Sequence, residues 1–139
     1  MSSNPVVRIE SIEPQTISQN EPFRASWTIE SPAGFDEKVV SITFLTDDAR
    51  LLLCDHANNE TPPEKLIPIA PGGRVSKSST LHVTMRKGLH NEHSRDGSPA
   101  PLVLHARVHT ENDRHLAISE GYQVWVDDLA KRPKTKIFV

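Results

Sequence analysis

Phe23-Arg24-Ala25-Ser26-Trp27-Thr28-Ile29-Glu30 is the stretch that decides the fold of this 139-residue chain. Apolar and polar side chains alternate through it, so successive side chains point to opposite sides of an extended backbone. A period of two residues is typical of a strand with one face in a core and the other in solvent. The stretch therefore predicts a half-buried β-strand.

The same kind of pattern recurs along the chain and predicts about seven strands. Alternation marks residues 81–85, 102–108 and 122–126, and the last segment is the expected partner of the one before it. Residues 6–12 form a first strand, residues 39–45 are apolar on both faces as in a central strand, and residues 51–54 follow a turn. No segment has a helical period, and 11 prolines interrupt the chain. We expect an all-β domain, a single antiparallel sandwich.

The residues around the first stretch resemble a known class of domain. Asn20-Glu21-Pro22, followed by Phe23, Trp27 and Ile29, is similar to the second strand of immunoglobulin-like and fibronectin-type domains. This resemblance implies an immunoglobulin-like β-sandwich. Such domains serve as adhesion modules, enzyme appendages and interaction domains, so the resemblance assigns no activity.

Composition narrows the class of protein. The net charge of −2 gives no general attraction to nucleic acid or anionic membranes, so no nucleic-acid partner is expected. Cys54 is the only cysteine, which excludes an intrachain disulfide and favours a reducing, cytoplasmic compartment. No apolar run approaches the about 20 residues that span a bilayer, and the first residues lack a signal peptide's apolar region. We expect a soluble protein without membrane insertion.

Two long connections and a tail complete the predicted organisation. Residues 1–130 form the sandwich, with loops at 55–73 and 86–100, and residues 131–139 form a basic, then apolar, tail. Loops longer than about 12 residues are usually functional or disordered. The candidate partner-binding residues lie in the second loop and the tail: His90, His93, Arg95, Lys131, Arg132, Lys134 and Phe138.

Seven histidines raise the question of a metal site. His105 and His109 are about 13 Å apart along one strand, and His82 is expected on the outer face of the opposite sheet. Placing Val108 opposite Leu116 and Ala106 opposite Ile118 keeps the apolar sets inward, and the same register sets His109 across from His115. A metal at His109 and His115 would take a third ligand from Glu111 or Asp113. The alternative is two solvated histidines beside a turn.

Two other clusters are weaker candidates for chemistry. His90 and His93 have a metal-binding spacing, but they lie in a glycine-flanked loop where no helix aligns the rings. Cys54-Asp55-His56 places a thiol near a base, although Cys54 ends an apolar run and fits a small buried side chain. No nucleotide-binding or nucleophile-elbow motif is present, so enzymatic activity is the less favoured class, and neither a catalytic residue nor a cofactor is assigned.

The leading interpretation is a non-enzymatic protein-interaction module that uses its long loops or an exposed sheet edge. The partner is another protein or a second copy of the chain, because sheet edges are open to pairing. The tail allows a nuclear-localisation-like role for its basic residues or edge pairing by residues 137–139. The alternative function is a metal-binding or metalloenzyme β-sandwich with its histidine site at the last hairpin.

Overall fold

The computed structural model describes residues 4–48, 51–56, 64–85, 100–110, 112 and 114–126. These residues form ten strands: β1 (Val6–Glu13), β2 (Thr16–Ile17), β3 (Phe23–Glu30), β4 (Val39–Thr46), β5 (Leu51–Asp55), β6 (Glu64–Pro68), β7 (Arg74–Met85), β8 (Ala100–His109), β9 (His115–Ile118) and β10 (Tyr122–Val126). The described part contains no helix, and hence none that could cross a membrane. The all-β prediction is confirmed.

The strands form two sheets. One sheet has four strands in the order β1-β3-β7-β5, and the other has the order β2-β10-β8-β4-β6, with β9 also paired to β8. All seven predicted strands are present, and β4 lies between two neighbours, as its apolar faces predict. The His82 strand and the His105 strand belong to different sheets, also as predicted.

Both sheets contribute to one hydrophobic core. Phe23, Ala25, Trp27 and Ile29 all point into it, which confirms the interpretation of the opening stretch. The indole N–H of Trp27 donates a hydrogen bond to Ser79 Oγ at 3.1 Å, so the largest core side chain keeps no unpaired polar atom. The alternation in the sequence therefore decides which face of β3 is buried.

One pair of strands is parallel, so the prediction of an antiparallel sandwich is wrong there. After β1 the chain passes from the four-stranded sheet to the six-stranded one, where β2 runs parallel to β10. The Trp125 amide donates to the Gln15 carbonyl at 2.8 Å, and Ile17 is buried in the core. Two residues suffice for this pairing because the side chain of Ile17 anchors them.

The first predicted loop contains a strand. Within residues 55–73, β6 pairs antiparallel with β4, with Ile67 opposite Val40. Ile67 and Ile69 are buried, and burial of these two side chains against the core stabilises the segment in extended form. This short apolar segment was predicted as part of a loop because prolines flank it on both sides.

Strands β9 and β10 follow each other along the same side of β8, with a break between them. Across the break, Ser119 donates its amide to the Ala106 carbonyl and accepts the Ala106 amide at its hydroxyl, both at 2.8 Å. Gly121 lies so close to Val103 Cγ1 that a Cβ at this position would clash with it. The serine thus preserves the hydrogen bonding where the strand is interrupted.

Trp125 is an exposed aromatic residue. Large aromatic side chains usually bury most of their surface, yet Trp125 is 43% exposed. Val124 and Val126 occupy the inward positions of β10 and are fully buried. Alternation therefore places Trp125 on the outer face, across from Pro101.

Candidate functional sites

A histidine pair lies where the four-stranded sheet ends. On β7, His82 is directly across from Cys54 of β5. The amide of His56, which follows β5, donates to the carbonyl of Thr80 at 2.9 Å, and this bond continues the strand pairing. His56 and His82 are therefore diagonal neighbours on one face, within reach of each other's rings.

The two imidazoles are in contact. His56 Nδ1 and His82 Nδ1 are 3.0 Å apart, and the ring centroids are 5.0 Å apart at an interplanar angle of 86°. A hydrogen bond between two such nitrogens requires one N–H donor and one lone pair. The arrangement thus holds one proton between two nitrogen atoms.

Burial affects the protonation of His82. His82 is 8% exposed, and loss of water lowers its pKa, an effect that His56 reinforces and the Asp55 carboxylate opposes. Cys54 and Asp55 are also buried. The buried Cys54 agrees with the interpretation of a small packed side chain, and His82 points outward as expected but is shielded from solvent.

The predicted pairing of His109 with His115 is present. The structure sets these residues across from each other, but the register shifts at a bulge next to His109. Because of this bulge, Val108 faces Ala117 rather than Leu116, and Arg107 rather than Ala106 faces Ile118. Ile118 is consequently 51% exposed, which contradicts its predicted inward position.

The two rings of this second pair have different surroundings. His109 is buried, and its Nδ1 lies 3.1 Å from the Thr110 carbonyl oxygen, to which it donates. His115 is exposed. Glu111 and Asp113, the predicted further ligands, lie outside the described residues. Within the described part, no three His, Cys, Asp or Glu side chains are placed to hold a metal ion.

A cleft of about 450 Å³ lies beside this hairpin. Its wall is formed by Glu37, Lys38, Val39, Thr110, Asn112 and Arg114. The guanidinium of Arg114 pairs with the Glu37 carboxylate at 3.8 Å. The Thr110 amide donates to the Arg114 carbonyl and the Arg114 amide donates to the Thr110 hydroxyl, both at 3.0 Å, and these two bonds close the turn. Five of the six residues in the wall are polar or charged, and one cation and one anion among them are paired.

The edge strands differ in accessibility. In the described part, β6 pairs only with β4, and its Lys65, Leu66 and Pro68 are exposed, Leu66 to 57%. The edge strand β5 of the other sheet has only buried or half-buried residues. Among the described residues, strand β6 therefore presents an open, partly apolar edge.

The predicted partner-binding residues lie outside the described residues; they are His90, His93, Arg95, Lys131, Arg132, Lys134 and Phe138. The contact between His56 and His82 was not predicted from the sequence, because the two residues lie in segments that are distant in the chain. The available signal was the outward parity shared by Cys54, His56 and His82 in two strands that could be neighbours.

Comparison with known proteins yields similarities of fold. No protein-family model matches the chain, and no curated protein does. Among solved structures, it is similar to Pseudomonas fluorescens alkylpurine DNA glycosylase AlkC bound to DNA containing an abasic site analog. The TM-score is 0.50 with 14% identity, over 90% of this chain and 31% of that one. The chain thus spans less than a third of that glycosylase, and a likeness at this identity concerns the fold alone.

Two further structures show lower similarity. A CARDB domain from Pyrococcus furiosus in complex with di-metal ions has a TM-score of 0.48 and 10% identity, with 91% of each chain covered. A β-glucosidase from Listeria innocua in complex with glucose has a TM-score of 0.49 and 12% identity, over 90% of this chain and 16% of that one. The comparisons leave this chain with a fold class and without an assigned family.

Proposed function

We propose that this chain is an immunoglobulin-like, non-enzymatic protein-interaction module of a reducing, cytoplasmic compartment. It binds an extended segment of a partner protein, which adds as a further strand to the free edge of β6. The single observation that carries this proposal is the open edge of β6 with Leu66 exposed to 57%.

The contrast with the other edges supports β6 as the docking strand. On β1, the register shifts between Ile9 and Ser11, and Arg8 pairs with Glu10 and Glu30 at 3.4 and 3.5 Å. Bulges and charged side chains are the features by which sheet edges avoid pairing. Strand β2 has two residues only and β5 is shielded. Strand β9 has four residues and pairs across a bulge, although its Ile118 is exposed. Among the described edges, β6 therefore combines an exposed aliphatic side chain with five residues in regular register.

The chemistry of the edge indicates the kind of partner. An added strand gains main-chain hydrogen bonds from the free side of β6, and alternate side chains set its specificity. Leu66 and Val39 are exposed to 57% and 37%. An added strand lies next to β6, so apolar side chains on its outer face would pack against Leu66, while Val39 is one strand further in. Seven residues of the second loop and the tail remain proposed as further contacts: His90, His93, Arg95, Lys131, Arg132, Lys134 and Phe138.

Selection of short random peptides against the full chain tests this function. We expect selected peptides to be apolar and extended, and the Leu66→Lys variant to weaken their binding about tenfold or more. Val6→Lys is the matched control, because Val6 is 54% exposed on β1, the edge strand with the bulge and the ion pairs. Equal binding by both variants would exclude the β6 edge.

Sedimentation of the same variants tests whether a second copy of the chain, rather than another protein, covers the β6 edge. If the wild-type chain dimerises and Leu66→Lys is monomeric, the segment that covers β6 belongs to a second copy of the chain. A monomeric wild type that binds selected peptides through Leu66 supports a heterologous partner.

A metal-binding domain centred on His109 and His115 is the second candidate function. The observation that favours it is their direct pairing across β8 and β9, beside the polar cleft. Near-stoichiometric zinc, copper or iron in the purified chain, lost in His115→Ala, would support this function. A metal content that is independent of His115 would remove it.

A further inference from the structure

The backbone of β6 directs its polar groups alternately to β4 and to the free edge. In an antiparallel pair, residues that exchange hydrogen bonds with the neighbouring strand alternate with residues whose amide and carbonyl point away from it. The amide of Ile69, just after β6, donates to the carbonyl of Lys38, just before β4, at 3.0 Å. Ile67 therefore also bonds to β4, whereas Leu66 and Pro68 direct their backbone polar groups to the free edge.

Pro68 limits how far a partner strand can pair along this edge. Leu66 offers an amide donor and a carbonyl acceptor, and by the same alternation so does the backbone of Glu64. Proline has no N–H, so Pro68 offers only its carbonyl. Prolines are among the features that restrict pairing at sheet edges. The free edge of β6 therefore suits a short segment that is centred on Leu66 and ends opposite Pro68.

We propose that β6 recognises one kind of partner segment, which runs antiparallel to it and has an apolar residue followed directly by an acidic one. The apolar residue lies opposite Leu66, and the acidic residue lies opposite Lys65. This inference rests on the proposed function, because it requires a partner strand at the β6 edge, and it specifies the chemistry and the direction of that strand.

The short edge favours the antiparallel direction. In an antiparallel pair, the residue opposite Leu66 gives both of its backbone groups to Leu66, whereas in a parallel pair the two bonds go to the residues on either side of it. Parallel pairing is also slightly less stable per residue. Because ordering each further residue costs conformational entropy, a pairing limited by Pro68 is most favourable when one partner residue makes both bonds.

Two exposed side chains of β6 define the sequence of the partner. The residue opposite Leu66 has its side chain on the same face as Leu66, which is 57% exposed, so an apolar side chain there buries apolar surface. Lys65 is exposed on the other face. A carboxylate directly opposite its ammonium group is favourable, whereas a like charge is not. In the antiparallel direction the residue opposite Lys65 follows the apolar residue, and in the parallel direction it precedes it.

Selection of random peptides against charge variants of the full chain tests the order of the two residues. We expect peptides selected on the wild-type chain to contain an apolar residue followed by Asp or Glu. On Lys65→Glu, the second position should change to Lys or Arg, and the wild-type peptides should bind about tenfold more weakly. Lys77→Glu is the matched control and should keep the wild-type selection, because Lys77 is an exposed lysine on β7 of the other sheet.

N-methylated forms of one selected peptide test the strand direction. Methylation of the amide of the apolar residue removes the hydrogen bond to the Leu66 carbonyl, and it should weaken binding to the wild-type chain about tenfold or more. The amide of the acidic residue points away from β6 in antiparallel pairing, so its methylation should weaken binding by less than about threefold. In parallel pairing the sensitive amide is that of the residue after the apolar one, so the reverse pattern would overturn the antiparallel direction.

The results separate this inference from the proposed function. Equal peptide binding by the wild-type chain and Leu66→Lys would overturn both. Binding that requires Leu66 but shows no acidic preference, or a preference unchanged in Lys65→Glu, would overturn this inference alone. Circular dichroism checks that Lys65→Glu is folded. The N-methylated peptides are measured on the wild-type chain, so that test does not depend on the variant.

Discussion

The two sheets differ in how their buried polar side chains are hydrogen-bonded. In the four-stranded sheet, Trp27 donates to Ser79, and the hydroxyls of Thr28 and Ser76 are 2.9 Å apart. In the six-stranded sheet, the hydroxyls of Ser41 and Thr43 are buried and have no hydrogen-bond partner in the described part of the chain. Buried polar groups without partners reduce stability, and folds tend to keep such defects where another requirement acts.

The six-stranded sheet, which contains these two buried hydroxyls, also contains the proposed docking edge, β6. Ser41 and Thr43 are on β4, and Ser41 is directly across from Leu66 of β6. The four-stranded sheet, by contrast, has a charged and bulged edge at β1. We infer that the hydrogen bonding of the four-stranded sheet favours stability, whereas the six-stranded sheet is less stable near its accessible edge.

The largest change in stability is expected when the hydrogen bond between Trp27 and Ser79 is removed. Ser79→Ala removes the acceptor for the buried indole N–H of Trp27, and we expect the free energy of unfolding to fall by about 1–3 kcal/mol. Ser78→Ala, at the exposed neighbouring position, should change it by less than about 0.5 kcal/mol. Urea unfolding monitored by tryptophan fluorescence measures both, and equal effects would contradict the assigned role of Ser79.

A smaller effect of opposite sign is expected in the six-stranded sheet. Thr43→Val removes a buried hydroxyl that has no hydrogen-bond partner among the described residues and keeps the shape of the side chain. The free energy of unfolding should therefore rise by about 1 kcal/mol. Thr28→Val breaks the contact with Ser76 and should lower it by about 0.5–1.5 kcal/mol. The comparison fails if both variants shift the unfolding midpoint in the same direction.

The smallest effect concerns the pH dependence of stability. Because burial lowers the pKa of His82, the unfolded chain takes up a proton that the folded chain resists. Stability that is present above about pH 6.5 is therefore lost as the pH falls below that value. The contribution should be modest, since Asp55 opposes the shift caused by burial and His56.

Variants isolate the histidine contribution to this pH dependence. With a chelator present throughout, His82→Gln should show a shallower loss of stability between pH 7 and pH 5 than the wild type. His115→Ala should keep the wild-type slope, because this exposed ring is outside the buried pair. Identical slopes for all three proteins would assign the acid sensitivity to other groups.

Local pattern was sufficient to predict much of this fold. Alternation placed Trp27 inside on β3, and apolar β-branched residues on both faces marked β4 as central. These predictions succeed because the side-chain period depends on a single strand. They fail where two strands interact: the bulge beside His109 shifted the register, which turned Ile118 outward.

The candidate sites were harder to predict for the same reason. His109 and His115 are close in sequence and belong to one hairpin, so their pairing could be derived from the apolar pattern. His56 and His82 meet through a pairing between β5 and β7, with β6 inserted between them in the chain. Prediction of that contact requires knowledge of which distant strands are neighbours.

The passage of the chain from β1 to β2 has a consequence for cooperativity. One continuous segment borders both sheets, with β1 paired to β3 and β2 paired to β10. Detaching this segment would remove an outer strand from each sheet at once, and would uncover Ile12 and Ile17 together. The two layers are therefore tied into one unfolding unit, and amide exchange in β3 and β10 should slow or quicken together.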